Sequence, residues 1–454
     1  MKPNILFFFP DQHRGDWTGY FGTQGVRTPN LDRLASRGQV FSNALTPSPL
    51  CSPARACMAA VAPYDAQPVK HNQHDVDPAQ PNLYQALGDA GYQVLGCGKF
   101  DLLKGSMDWG ESGHHGEGTN ARIHQLGFSD GIDNAGKHDF VAGHRLGREE
   151  PFQAFLRAND LLDVHLADYD GRTGKELANY INTAPTPLPD FAYGDNWIAA
   201  NGLKLLDRAK DDAPWFLQVN FNGPHEPMDV TASMQSRWAD ASLPPPVASS
   251  QYDAEQHGAI RANYAAMIEN IDSHLGSYLD YLASRGSLEQ TVVIYASDHG
   301  EMLGDHDRWG KVVPHQPSVH VPLVLAGPGI EAKPDCHAWV DLVDVAATIL
   351  HIAGADFPGG HGQVLTTDSL ASRKVVGLGG WRTIYEDGMK YVHNFDPEAA
   401  RGSSGGDLDS TETHAALYDL HNDPHEAKNL VVDEPGTANR LRQALLRIVE
   451  EHHA

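Results

Sequence analysis

Apolar residues along this chain follow two distinct patterns. Short, mostly apolar runs occur at residues 4–9 (Asn-Ile-Leu-Phe-Phe-Phe), 92–97, 215–221, Thr291–Ala296 and 321–326. Runs this short and this apolar predict strands buried on both faces. Between them the spacing changes to three and four. Residues 30–37 predict a short helix ending before Gly38. Residues 81–90 predict another, with Leu83 and Leu87 four apart and Gly91 beyond its end. The longest, 258–285, places Tyr264, Met267, Ile268, Ile271, Leu275, Tyr278, Leu279 and Leu282 on one face. Residues Leu342–Ala353 predict a further helix. Strands alternating with helices predict an α/β fold, a large, mostly parallel or mixed sheet sandwiched by helices.

The pattern changes after Gly354. Gly and Pro cluster at 354–362, and a Gly/Ser loop covers 402–406. Strands at Trp381–Glu386 and 390–394 flank Asp387-Gly388, which predicts a hairpin. A helix is expected over 437–451. We therefore expect a main domain at 1–355 and a smaller α+β subdomain at 356–454. Residues 104–160 are rich in Gly, His and acids without period, and read as an inserted loop region.

Composition narrows the function. At 454 residues, 41% hydrophobic and 20% charged, the chain suits an ordinary globular protein. Its net charge of −25 argues against a nucleic-acid or membrane surface. Four cysteines make no disulfide framework. The apolar run at 5–9 is too short for a secretory signal and no segment reads as a membrane span, so a cytoplasmic location is expected.

Two predicted strands run into ligand-type residues. The first leads into Asp11-Gln12, the strand at 291–296 into Asp298-His299. Ligands sit beyond the carboxyl ends of strands in such sheets. Two carboxylates, an amide oxygen and an imidazole suit a divalent cation, Ca²⁺ first and Mn²⁺ second. Between these segments stands Cys51-Ser52-Pro53-Ala54-Arg55. A Cys-x-Pro-x-Arg pentapeptide arises by chance in about one chain in a hundred of this length.

That pentapeptide resembles the signature of the type I, formylglycine-dependent sulfatases of the alkaline phosphatase superfamily. The resemblance covers nearly the whole chain. It extends to Thr28-Pro29-Asn30-Leu31-Asp32-Arg33-Leu34-Ala35, Gly98-Lys99, Pro224-His225-Glu226-Pro227, the segment Ser297 to Lys311, and Leu417-Tyr418-Asp419-Leu420 with Asn422-Asp423-Pro424. It implies an alkaline-phosphatase-like fold and a sulfuric ester hydrolase acting on a small organic or sugar sulfate. It also implies that a formylglycine-generating enzyme oxidises Cys51 during maturation, giving a gem-diol nucleophile. Asp11, Gln12, Asp298 and His299 would hold the metal together with residue 51. Arg55 would hold the formylglycine loop, and Lys99, His225 and Lys311 would grip the sulfate oxygens. Arg14, Asn72, Asp101, His306 and His315 are the candidate substrate contacts.

Three departures from the family keep other readings open. Gln12 and His299 stand where an acid and an Asn are common, as in the branch holding phosphonate monoester hydrolases and choline-sulfatase-like enzymes. That leaves a phosphonate monoester or phosphodiester hydrolase as the alternative. Asp101 stands where a His contacts the formylglycine; His71, His114 or His115 would be the substitutes. Ala59-Ala60-Val61-Ala62 replaces the usual Leu-Thr-Gly-Arg. Together these two leave room for a pseudoenzyme that binds metal and anion without turnover. Oligomeric state, a homo-oligomer included, is left open.

Overall fold

The computed structural model describes residues 2–453 other than 106, 108, 110–121, 176, 368 and 398–413. Eight strands form the main sheet: β1 (Asn4–Phe8), β2 (Gln39–Leu45), β3 (Gln93–Gly98), β4 (Asp130–Asp133), β5 (Trp215–Asn220), β6 (Thr291–Ala296), β7 (Leu323–Ala326) and β8 (Lys333–Asp341). Their order is β4-β3-β5-β1-β6-β7-β2-β8. All neighbours run parallel except β7, which is antiparallel to β6 and to β2. The sheet is therefore mixed and mostly parallel.

The period-two geometry of β1 divides the core. Ile5, Phe7 and Phe9 enter one apolar cluster, with residues of helices Cys51–Ala60, Leu83–Asp89 and Leu342–Ala353. Leu6 and Phe8 enter the other, with residues of helices Pro29–Ala35, Gly194–Arg208 and Ala254–Ser284. Helices thus cover both faces, which is why the central strands read as solid apolar runs.

A second, antiparallel sheet follows: β9 (Arg373–Leu378), β10 (Trp381–Glu386), β11 (Met389–His393) and β12 (Ala415–Asp419), in the order β12-β11-β10-β9. Its outer face packs on helix Pro435–His453 through Ile384, Leu417, Leu441 and Leu445. Its inner face gives Val376, Leu378, Trp381 and Tyr385 to the main core. A buried ion pair fastens the two regions. Arg382 Nε lies 2.8 Å from Asp65 Oδ2, with both side chains at most 5% exposed.

The structure corrects the reading of 104–160 as an inserted loop. It contains β4 and helices Lys137–Arg145 and Pro151–Ala158, the second capped by the Glu150 carboxylate. The expected loop at 402–406 lies outside the described residues. Strands β2, β8 and β9 carried no clear apolar run. The edge strand β8 (Lys-Pro-Asp-Cys-His-Ala-Trp-Val-Asp) is buried only over its last three residues. No helix among the described residues is long and apolar enough to cross a membrane.

The ion pair between Asp65 and Arg382 makes the first prediction. Arg382→Met leaves the Asp65 carboxylate buried without that cation, so a loss of about 3 kcal/mol is expected in urea unfolding. Adding Asp65→Asn should restore at least half of it. No loss in the single variant would show that the small sheet is held by its apolar face alone.

Candidate active site

Four adjacent parallel strands, β3-β5-β1-β6, end at one level and deliver the site. In register Gly98 faces Asn220, while Phe8 faces both Val219 and Tyr295. Asn220 ends β5, and just beyond the other three strands stand Lys99, Asp11-Gln12 and Asp298-His299. The crossing at β3 leaves no room for a side chain. A Cβ on Gly98 would stand 1.8 Å from the Asn220 carbonyl oxygen, and its φ of +102° is one that glycine alone tolerates easily.

Cys51 begins the helix Cys51–Ala60. Leu50, its N-cap, offers no side-chain acceptor, and the Asn72 side-chain oxygen accepts the Ser52 N–H instead, at 3.0 Å. Pro53 is tolerated in this first turn because its missing N–H would lack a helical partner there. The positive end of the helix dipole thus meets residue 51. Arg55, one turn later on the same side, reaches across to Asp298 Oδ2 (2.9 Å), the Asn220 side-chain oxygen (3.2 Å) and the Lys99 carbonyl.

The Cys51 sulfur lies 3.2 Å from His299 Nε2 and 3.9 Å from Asp11 Oδ1. One ligand atom from each of Asp11, Cys51, Asp298 and His299 falls within 4.8 Å of the others, and all four residues are buried. His299 Nδ1 faces the Gly300 carbonyl at 3.0 Å, so Nε2 is the nitrogen aimed at the cluster. Two carboxylates and an imidazole converging on one point fit a divalent cation. Gln12 stands beside them at φ +70°. Its N–H donates to Asp298 Oδ1 (3.0 Å), its amide nitrogen to Glu226 (2.7 Å) and Glu301, and its amide oxygen accepts from Lys311.

Cations ring the cluster. Lys99 Nζ is bonded to Asp11 Oδ2 and lies 3.2 Å from Asp101. Lys311 Nζ lies 2.6 Å from His225 Nε2. Burial alone would raise the Asp11 pKa, but Lys99, His225, Lys311 and His299 hold it well below the usual carboxylate range. Burial and Asp11 push the Cys51 thiol up, yet Lys311, Lys99 and His299 outweigh them and hold it well below its ordinary value. Lys99 and Lys311 move the other way, since facing carboxylates and the thiolate overcome their desolvation. In the Glu226 carboxyl, His225, His138 and Lys311 overcome burial and keep it ionised. His225 Nδ1 donates to the Glu226 carbonyl at 2.7 Å, which leaves the Nε2 lone pair facing Lys311. His225, Lys311 and Asn72 keep partial exposure while Asp11, Asp298 and His299 have none. The entrance therefore lies on the His225 side.

The candidate substrate contacts fall in different places. Asn72 caps the Cys51 helix, as described. Asp101 is the buried counter-ion of Lys99 and Lys104, at 3.2 and 2.7 Å, so it faces cations. Arg14 is a correction. Its side chain is 5% exposed and bridges Asp16 (2.6 Å) and Asp305 (2.7 Å), which makes it an internal cross-link. His306 and His315 pack on each other with ring centroids 5.4 Å apart. They meet the C-terminal segment, His306 through the His425 carbonyl and His315 through the Phe395 ring. His71 is exposed and lies against His74, their ring centroids 3.5 Å apart; His114 and His115 lie outside the described residues.

Sequence reasoning passed over Glu301, Glu226, Asn220 and Lys104. Glu301 accepts the backbone N–H groups of Leu303 (2.8 Å) and Gly310 (2.7 Å) and thereby shapes the loop to Lys311. Both glutamates sit inside segments the motifs already marked. Asn220 interrupts the apolar run at 215–221, which was a usable signal. Lys104 carried none.

A family model described as Sulfatase matches residues 3–355. An arylsulfatase of Clostridium perfringens (strain 13 / Type A) is 25% identical, over 99% of this chain and 95% of its own length. The phosphonate monoester hydrolase of Agrobacterium radiobacter shares the fold with a TM-score of 0.77 at 22% identity, covering 99% of this chain and 96% of that one. A protein solved with its substrate D-glucosamine-2-N,6-O-disulfate has a TM-score of 0.75 at 16% identity, over 100% and 98% of the chains. With its signature segments gathered about the ends of four parallel strands, the chain belongs to the sulfatase family.

Proposed function

We propose that the protein hydrolyses a small organic or sugar sulfate ester, with residue 51 as its nucleophile after conversion to formylglycine. The observation that carries this reading is the position of Cys51. It starts a helix, touches His299, and is surrounded by Asp11, Lys99 and Lys311. The hydrate of formylglycine would supply one hydroxyl to attack sulfur and another to expel the product. Arg55 Nη2 is buried without a hydrogen-bond acceptor; an oxygen added at residue 51, one turn away, would offer one.

Asp11, Asp298, His299 and Gln12 would hold the divalent cation. Ca²⁺ suits the oxygen donors and Mn²⁺ the imidazole, and either would polarise the sulfuryl oxygens. Lys99, Lys311 and Arg55 place positive charge where a transferring sulfuryl group spreads negative charge over three oxygens. The raised pKa of Lys311 keeps it protonated. Its ammonium faces His225 Nε2, so this pair holds the proton that the departing alkoxide requires. Asp101, paired by Lys99 and Lys104, leaves Lys99 cationic.

A second reading keeps the machinery and changes the ester to a phosphonate monoester or phosphodiester. Gln12 and His299 motivate it, since these two residues resemble those of the branch holding phosphonate monoester hydrolases, one of which shares this fold. Ca²⁺-loaded protein, co-expressed with a formylglycine-generating enzyme, decides between them on matched aryl sulfate, phosphonate monoester and phosphodiester. Sulfate should dominate. Cys51→Ala should lose at least about 10³-fold in kcat, and the peptide carrying residue 51 should show sulfur lost and oxygen gained by mass. Dominant phosphonate or diester turnover would install the second reading.

Leaving-group dependence tests the Lys311–His225 pair. His225→Asn and Lys311→Met should each lower kcat by about 10²–10⁴-fold for alkyl sulfates. The loss should shrink for aryl sulfates with acidic phenols. An equal loss for all esters would remove the proton-donor role. Metal removal gives another test: chelation should abolish turnover, and Ca²⁺ or Mn²⁺ should restore it, with the preferred ion naming the cofactor.

A further inference from the structure

A second set of metal-type side chains stands at the entrance. His138 lies on the helix Lys137–Arg145 and faces the loop carrying His225 and Glu226. His138 Nε2 is 3.8 Å from Glu226 Oε1, and His225 Nδ1 is 3.1 Å from Glu226 Oε2. One ligand atom from each of the three falls within 4.8 Å of the others. Ligand atoms around a tetrahedral zinc ion stand roughly 3.3–3.6 Å apart, given bonds of about 2.0–2.2 Å. His225 Nδ1 also donates to the Glu226 carbonyl at 2.7 Å, so an ion bound there would take the place of that proton and its hydrogen bond.

Two further observations point to a metal. His138 Nδ1 is bonded to the Tyr169 hydroxyl. Metal-binding histidines are commonly fixed in this way, with the outer nitrogen held and the inner lone pair free. The His138 side chain is 40% exposed, so an ion has a path in. Two imidazoles and one carboxylate suit a borderline ion better than Ca²⁺.

We infer that His138, Glu226 and His225 form a second site, for a transition-metal ion such as Zn²⁺, and that filling it inhibits the enzyme. The inhibitory half rests on the proposed function. A metal on His225 Nδ1 sends that ring's proton to Nε2, where it meets the Lys311 ammonium 2.6 Å away. The Lys311–His225 contact then breaks. Lys137, bonded to the His225 carbonyl at 2.8 Å, adds positive charge nearby. The site is therefore weaker than a structural zinc site, and reversible.

The experiment compares native protein with His138→Ala and His138→Gln, all Ca²⁺-loaded. Zn²⁺ binding is read by calorimetry and Co²⁺ binding by its visible absorption; neither needs turnover. Native protein should bind one equivalent more than either variant. Unchanged melting temperatures would show that all three fold alike. Hydrolysis by native protein should fall as Zn²⁺ binds. Both variants should keep the basal rate and need at least about 10-fold more Zn²⁺ for the same inhibition. Equal stoichiometry in the three chains would overturn the site. An extra equivalent without inhibition would overturn the regulatory half. An extra equivalent in a protein that cleaves no sulfate would leave the site standing and sink the proposed function.

Discussion

The site depends on one constraint, that ions taken out of water must find opposite charge. Asp11, Asp298, Glu226, Asp101 and Glu301 are all buried in or beside it. Each unpaired carboxylate there would cost several kcal/mol. Signs therefore alternate through the pocket. Lys104 and Lys99 flank Asp101, Lys99 reaches Asp11, Arg55 holds Asp298, and Lys311 meets Gln12 and His225. The result is a pocket able to receive an anion inside a chain of net charge −25.

Much of this was legible in the sequence, and the parts that were not share a cause. Residues placed by their own strand could be read directly. Asp11 follows β1, Asp298 follows β6, and both strands announce themselves as apolar runs. Cys51 and Arg55 sit one helical turn apart, so their shared direction is local as well. Arg14 was misread because its partner Asp305 is distant in the chain and only the fold joins them. Helix Lys137–Arg145 was missed because only Phe140, Val141 and Gly143 of its residues are buried. Strand β8 was missed for a related reason, as it has a neighbouring strand on one side only and is buried over just its last three residues.

The C-terminal sheet is part of the same arrangement. Lys390 is fully buried, bonded to the Pro314 carbonyl and 2.5 Å from Glu426. Glu426 in turn accepts the Gln316 N–H at 2.7 Å. The loop that begins with Glu301 and presents Lys311 is thus anchored at its far end by residues more than seventy positions later. Glu301 shapes the near end. Lys311 needs such support, because a flexible four-carbon stem does not hold a charge in place by itself.

The burial of Cys51 sets a clock on synthesis. Only 2% of the residue is exposed in the finished protein, and two of the side chains that enclose it are Asp298 and His299. Nearly 250 residues of chain separate them from Cys51. At roughly 5–20 residues per second, the ribosome takes about 12–50 s to supply them. On the proposed reading, a maturation enzyme has at least that interval to find the Cys51-to-Arg55 segment while it is still an open stretch of nascent chain. The fraction of active molecules would then be set by the pace of translation as much as by the finished fold.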